Sequence, residues 1–371
     1  MAYATTTKLE RIRAALAERD LDELWLCRPA NYGWLTGGDP VVDATSDVGV
    51  GAVGVGRDGV RVLAPNNERG RLIDEELPGL DAADVDPEVT EFEWHESSLR
   101  EAVAANHRGA AAADVAVAGV ETFDPTRVRS PMPPAERDRY RDACEETTAA
   151  VEAVARELTS ETTEQEAAGA LSQALLERGF RAPVVLVGGG ERSQRYRHYT
   201  PSDAPLGEFA HLTVVAERGG HDVAVTRTVT FDAPAWLRER HDAAGRVAAT
   251  ALAATRDVGS SGGSAGEVLD AIADAYEAVG FGGEWRAHHQ GGAIGYATRE
   301  WIATPDAQDS VTLPMPFAWN PTVQGAKCED TALVTERGVE VPTATGDWPT
   351  TTYEAVGYDE AVSFHDPLSL G

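Results

Sequence analysis

Gly325-Ala326-Lys327-Cys328-Glu329-Asp330-Thr331-Ala332-Leu333-Val334-Thr335-Glu336-Arg337-Gly338 reads as an acidic pair leading into a buried strand and then a turn. Two adjacent carboxylates entering an apolar strand need a cation, a proton or hydrogen-bond donors close by, because an uncompensated buried charge is expensive. What stands opposite Glu329 therefore determines what chemistry the chain can support.

The rest of the chain narrows the possibilities. Its 371 residues allow more than one domain, each with its own core. No apolar run of about eighteen residues occurs, so no membrane span is expected. The first residues carry neither a charged segment nor an apolar one of the kind that exports a chain, and a cytoplasmic location is the expectation. The three cysteines, Cys27, Cys144 and Cys328, are far apart and form no CxxC pair, which argues against a disulfide scaffold or a zinc ribbon. A formal net charge of −29, from 61 acidic against 32 basic residues, would repel nucleic acid and anionic membranes. The acids are spread along the chain and fit a solvated surface suited to high intracellular salt. Only two of the cations are lysines, Lys8 and Lys327.

Read in order, Lys8 to Arg19 has a helical period and Leu21–Cys27 reads as a strand. The segment from Pro29 to Gly38 is rich in turn formers. Val48–Val55 and Gly59–Ala64 form an expected hairpin. Ser130-Pro131-Met132-Pro133-Pro134 breaks the pattern, giving domains at 1–130 and 135–350 with a tail at 351–371. A long helix is expected over Ala135–Leu158. A second opens at Thr163, with Glu166 completing a capping box, and runs to Arg178. Leu212–Ala216 and Val223–Phe231 read as an antiparallel pair, and Ala235–Thr255 and Ser264–Val279 as two more helices. The fold class is α+β, a small mixed α/β domain followed by a larger domain of helices and antiparallel strands.

Several segments together carry a resemblance. Asn31-Tyr32-Gly33-Trp34-Leu35-Thr36-Gly37, Thr163-Glu164, Ala224-Val225-Thr226-Arg227-Thr228, Gln290-Gly291-Gly292-Ala293-Ile294-Gly295 and Glu329-Asp330-Thr331-Ala332-Leu333-Val334-Thr335 occur in this order. They resemble the pita-bread family of aminopeptidase P, prolidase, methionine aminopeptidase and creatinase, in its two-domain form with a creatinase-like N-terminal domain. The resemblance implies a homodimer and, in active peptidases, two divalent metals held by two Asp, one His and two Glu.

Carried over residue by residue, those five ligand positions fall near Thr213 and on Ala224, Gly292, Asn320 and Glu329. Only Glu329 keeps a ligand's identity. Divalent cations need several anionic oxygens or imidazoles together, so no metal and no other cofactor is expected. A cation must then balance Glu329, and Lys327 and Arg227 are the candidates. His198 and His288 match substrate-facing histidines of the family, and His289 adjoins the second.

The leading expectation is a peptidase homologue without a dinuclear centre, binding a small molecule or peptide end through His198, His288, His289, Arg227, Lys327 and Glu329. Two alternatives stand beside it. One is a metal-free, creatinase-like hydrolase of small amides with His198 handling the proton. The other is an active Xaa-Pro aminopeptidase or dipeptidase whose ligands have shifted to Glu217, His221, Asp222, His288 and His289.

Overall fold

The computed structural model describes residues 4–371. The chain divides into two compact units: everything up to Arg139 together with Gly219–His221, and Tyr140–Arg218 together with Asp222–Gly371.

The first unit is built on a six-stranded mixed sheet. Its spatial order is Glu88–Phe92, Val60–Pro65, Ala52–Gly56, Glu23–Leu26, Ala111–Ala113 and Glu121–Thr122. The expected hairpin is present, with Ala52–Gly56 antiparallel to Val60–Pro65. Trp25, Cys27, Ala52, Leu63, Leu99 and Val103 form its core beneath the helix Leu99–Asn106. The turn-rich segment departs from its reading, because Pro29–Thr36 is a helix. Pro29 in the first turn is pre-set for helical φ, and Gly37 at φ 75° supplies the left-handed stop.

The second unit carries the motifs. Two four-stranded sheets are ordered Arg181–Gly189, Phe209–Arg218, His221–Thr230, Leu368–Ser369 and Gly291–Ala293, Met315–Trp319, Asp330–Thr335, Gly338–Glu340. Four main helices accompany them: Pro134–Arg156, Glu164–Leu176, Leu237–Ser261 and Ala265–Ala278. The capping box at Thr163 is formed: its hydroxyl accepts from the Glu166 N–H, and the Glu166 carboxylate accepts from Thr163 N–H at 2.8 Å. No helix among the described residues is long and apolar enough to cross a membrane.

Sequence reading leaves Asp347–Gly371 as a tail at the surface or at a dimer contact. In the structure Thr350–Glu354 and Ala361–His365 pair as a hairpin, and Leu368–Ser369 adds a parallel strand beside His221–Thr230. This pairing draws His365 into the interior.

Arg227 ties these pieces together. Its guanidinium donates to Glu152 at 2.9 Å, to Asp330 at 2.9 Å and to the Thr343 carbonyl at 2.7 Å. His365 Nδ1 meets the other Asp330 oxygen at 2.7 Å. Burial works to raise the Asp330 pKa, but Arg227 and His365 outweigh it and hold the group ionised at about 2. Replacing Arg227 with Met leaves two buried carboxylates without their shared cation. Urea unfolding should show a loss of about 3–5 kcal/mol, the usual consequence of removing one partner of a buried charge network.

Candidate functional site

Side chains alternate along a strand, and that alternation sorts the acidic pair. Lys327 and Glu329 share one face, while Cys328 and Asp330 share the other. On the first face Lys327 Nζ lies 2.9 Å from Glu329 Oε2, and Arg299 Nη2 lies 3.2 Å from Oε1. Thr226 donates its hydroxyl to Oε2 at 2.8 Å and is itself 2.8 Å from the Thr213 hydroxyl. Burial alone would raise the Glu329 pKa. The Lys327 and Arg299 charges, with the Lys327 and Thr226 hydrogen bonds, lower it to about 2. Glu329 is thus a permanent anion with every strong partner already a protein group, unsuited to act as a base near neutrality.

Three imidazoles stand near this pair. The His198 ring centroid is 5.8 Å from that of His289 and 6.3 Å from that of His288, and the latter two are 6.0 Å apart. Burial, then the Lys327 charge, pushes His288 down to about 3. Burial and Arg299 push His289 down to about 4. His198 is lowered as well, first by burial and then by Lys327. All three are neutral near pH 7. His288 Nε2 donates to the Asn320 carbonyl at 3.2 Å, so its Nδ1 is the bare nitrogen, facing the Gln290 amide at 3.4 Å. The Nδ1 of His289 is buried with no hydrogen-bond partner among the described residues.

The remaining motif positions are built differently. Ala224 packs with Val215, Ile294 and Ala318 in an apolar cluster. Gly292 has no room for a side chain: a Cβ there would stand 2.2 Å from the Trp301 carbonyl oxygen and 2.9 Å from its ring. The side-chain oxygen of Asn320 is buried without a partner among the described residues.

Of the residues read from sequence as binding groups, the structure brings together Lys327, Glu329, His198, His288 and His289. Arg227 is not with them. It was expected beside Glu329 but faces away, because its neighbour Thr226 takes the Glu329 side of the strand. Arg299 was missed. It lies in a loop between the Gly292 strand and Met315–Trp319, and the only signal for it was its place in a polar Thr298-Arg299-Glu300 run. The shifted ligand set does not converge either. Glu217 pairs with Arg181 at 2.6 Å and His221 contacts Glu136 at 3.1 Å. Asp222 is buried and held well above the usual carboxylate range, by burial first and then by Glu217 and Glu300.

A family model described as metallopeptidase family M24 matches residues 138–336, more than half of the chain. The chain belongs to metallopeptidase family M24. Solved structures with the same fold include the prolidase from Pyrococcus horikoshii OT3, at 17% identity and a TM-score of 0.72, with 91% of this chain and 97% of that one covered. The dipeptidase PepE from Mycobacterium ulcerans matches over the whole of both chains at 19% identity and a TM-score of 0.72. The Xaa-Pro dipeptidase from Bacillus anthracis matches at 18% identity and a TM-score of 0.69, covering 95% of this chain and 99% of that one. No curated protein sequence matches the chain. The M24 pita-bread fold, with an N-terminal domain ahead of it, is therefore the setting of the Glu329 site.

Two outcomes follow for the site. Lys327→Met should cost up to about 3 kcal/mol in urea unfolding, and adding Glu329→Gln should recover part of that loss, because the two groups are coupled. The histidines should also make stability pH-dependent. His288 titrates near 6.5 when unfolded and about 3 when folded, so between those values the unfolded chain holds the extra proton. Its contribution is complete above pH 6.5 and is lost as the pH falls towards 3. A thermal unfolding series should show melting temperature dropping through that window, with a shallower slope in His288→Asn.

Proposed function

We propose that this chain is an Xaa-Pro aminopeptidase- and prolidase-like member of family M24 that does not cleave peptides through two metal ions. It binds instead a small molecule or peptide end carrying a carboxylate. The observation that carries the reading is the Lys327 ammonium 2.9 Å from Glu329, a fixed positive charge against the one retained ligand residue. The donor set does not fit a pair of divalent ions. Ala224 offers no donor, Gly292 has no space for an imidazole beside Trp301, and Asn320 supplies a neutral amide in place of a carboxylate. No catalytic step is therefore routed through such ions.

What the site can do follows from its charges. Lys327 and Arg299 are two cations against the single Glu329 anion, leaving one net positive charge with three neutral imidazoles close by. A carboxylate arriving there finds a cation to pair with, and the bare nitrogen of a neutral histidine can accept an N–H from the same ligand. A second reading, metal-free hydrolysis of a small amide, draws on His198, the most exposed of the three imidazoles and neutral near pH 7.

Calorimetric titration with Xaa-Pro dipeptides tests the proposal. Free-acid dipeptides should bind at least about tenfold more tightly than their C-terminal amides, and Lys327→Met should erase the difference. Turnover of Xaa-Pro dipeptides with added manganese or cobalt, abolished by chelator and by Glu329→Gln, would overturn it. Metal-independent amide hydrolysis lost in His198→Ala would favour the second reading.

A further inference from the structure

On the far side of the acidic pair lies a group of side chains that the Glu329 site does not use. His241 projects from the helix Leu237–Ser261, His365 ends the C-terminal hairpin, and Cys328 sits between Lys327 and Glu329 but on the opposite face. All three are almost completely buried. Their ligand atoms lie within 4.8 Å of one another, the one such group of His, Cys, Asp or Glu atoms among the described residues.

The hydrogen bonds around the two rings fix which nitrogens are available. His365 Nδ1 meets the ionised Asp330 at 2.7 Å, and a carboxylate can only accept. That contact is therefore made through an Nδ1 proton, and Nε2 is the ring nitrogen left for a ligand. His241 Nε2 lies 2.9 Å from the His365 carbonyl oxygen, which also only accepts, so its bare nitrogen is Nδ1. These two nitrogens, His241 Nδ1 and His365 Nε2, are both buried without a hydrogen-bond partner among the described residues. Cys328 is a free thiol whose sulfur belongs to the same group.

Two buried ring nitrogens left unpaired would each be costly in a finished interior. Their outer nitrogens, by contrast, are held in the manner of metal-bound imidazoles, one by a carboxylate and one by a backbone carbonyl. We propose that His241, His365 and Cys328 bind a single zinc ion, at a site separate from the Glu329 face. One sulfur and two imidazole nitrogens are a donor set for a borderline-soft ion, and a fourth tetrahedral position is left to a solvent molecule. Binding breaks the Cys328 S–H bond and forms an S–Zn bond, with the proton released to solvent and no change of oxidation state. The ion would clamp a mid-chain helix, the strand entry at Cys328 and the C-terminal hairpin to one another.

The test uses the full chain, stripped with chelator and then titrated with zinc alone or cobalt alone. Expected results are one zinc per chain by elemental analysis, a thiolate-to-cobalt charge-transfer band, and a melting temperature raised by zinc. Cys328→Ser should lose the band, and His241→Gln and His365→Gln should each weaken uptake at least about tenfold. Glu329→Gln should leave the band and the stoichiometry as they were, which separates this ion from one on the other face. Absence of uptake by the folded wild-type chain would overturn the proposal. So would a bound ion that survives in His241→Gln but leaves in Glu329→Gln. If Cys328→Ser does not fold, the charge-transfer band of the wild-type chain and the two histidine variants still decide.

Discussion

Glu329 and Asp330 are neighbours in the chain and strangers in space. Strand geometry sends the first towards Lys327, Arg299 and Thr226 and the second towards Arg227 and His365. Each buried carboxylate has its own compensation, and neither can be neutralised from the other's side. The rest of the unit is arranged to supply those partners. The His221–Thr230 strand contributes Thr226 to one face and Arg227 to the other, the loop after Gly291–Ala293 contributes Arg299, and the C-terminal hairpin contributes His365. A charge pair at two consecutive positions thereby recruits segments from well-separated parts of the sequence.

This arrangement explains which features could be read from residues alone. Lys327 and Glu329 are two apart on a segment of strand period, so their meeting is a local consequence of backbone geometry. The capping box at Thr163 is local in the same sense. The same periodicity applied to Thr226 and Arg227 places them on opposite faces, and Arg227 goes with Asp330. Arg299 could not be reached this way, because a loop residue is placed by the path of the loop and not by any period. His241 and His365 were equally hidden: one looks like an interior helix position and the other like the end of a tail. Their meeting at Cys328 depends on a hairpin and a parallel edge strand formed by the last residues.

The fold was more legible than the site because it rests on repeated, redundant signals. Alternating strands and capped helices point to an α+β chain and the ordered motifs resemble the pita-bread family, and the misread helix at Pro29–Thr36 altered neither. A site rests on single side chains, so one loop arginine changes its charge. With Arg299 absent, Glu329 would have Lys327 as its one cation; with it present, the buried acid faces two.

The close packing at Gly292 has a bearing on redesign. Because the Trp301 backbone and ring already occupy the volume a Cβ would take, an imidazole cannot be grafted there in one step. The loop bearing Trp301 would have to be reshaped first. That same loop delivers Arg299 to Glu329, so moving it also strips a counter-charge from the buried acid. Anyone installing a dinuclear centre in this scaffold therefore faces an obligatory order of operations, with the loop and the Glu329 counter-charge reset before the imidazole goes in.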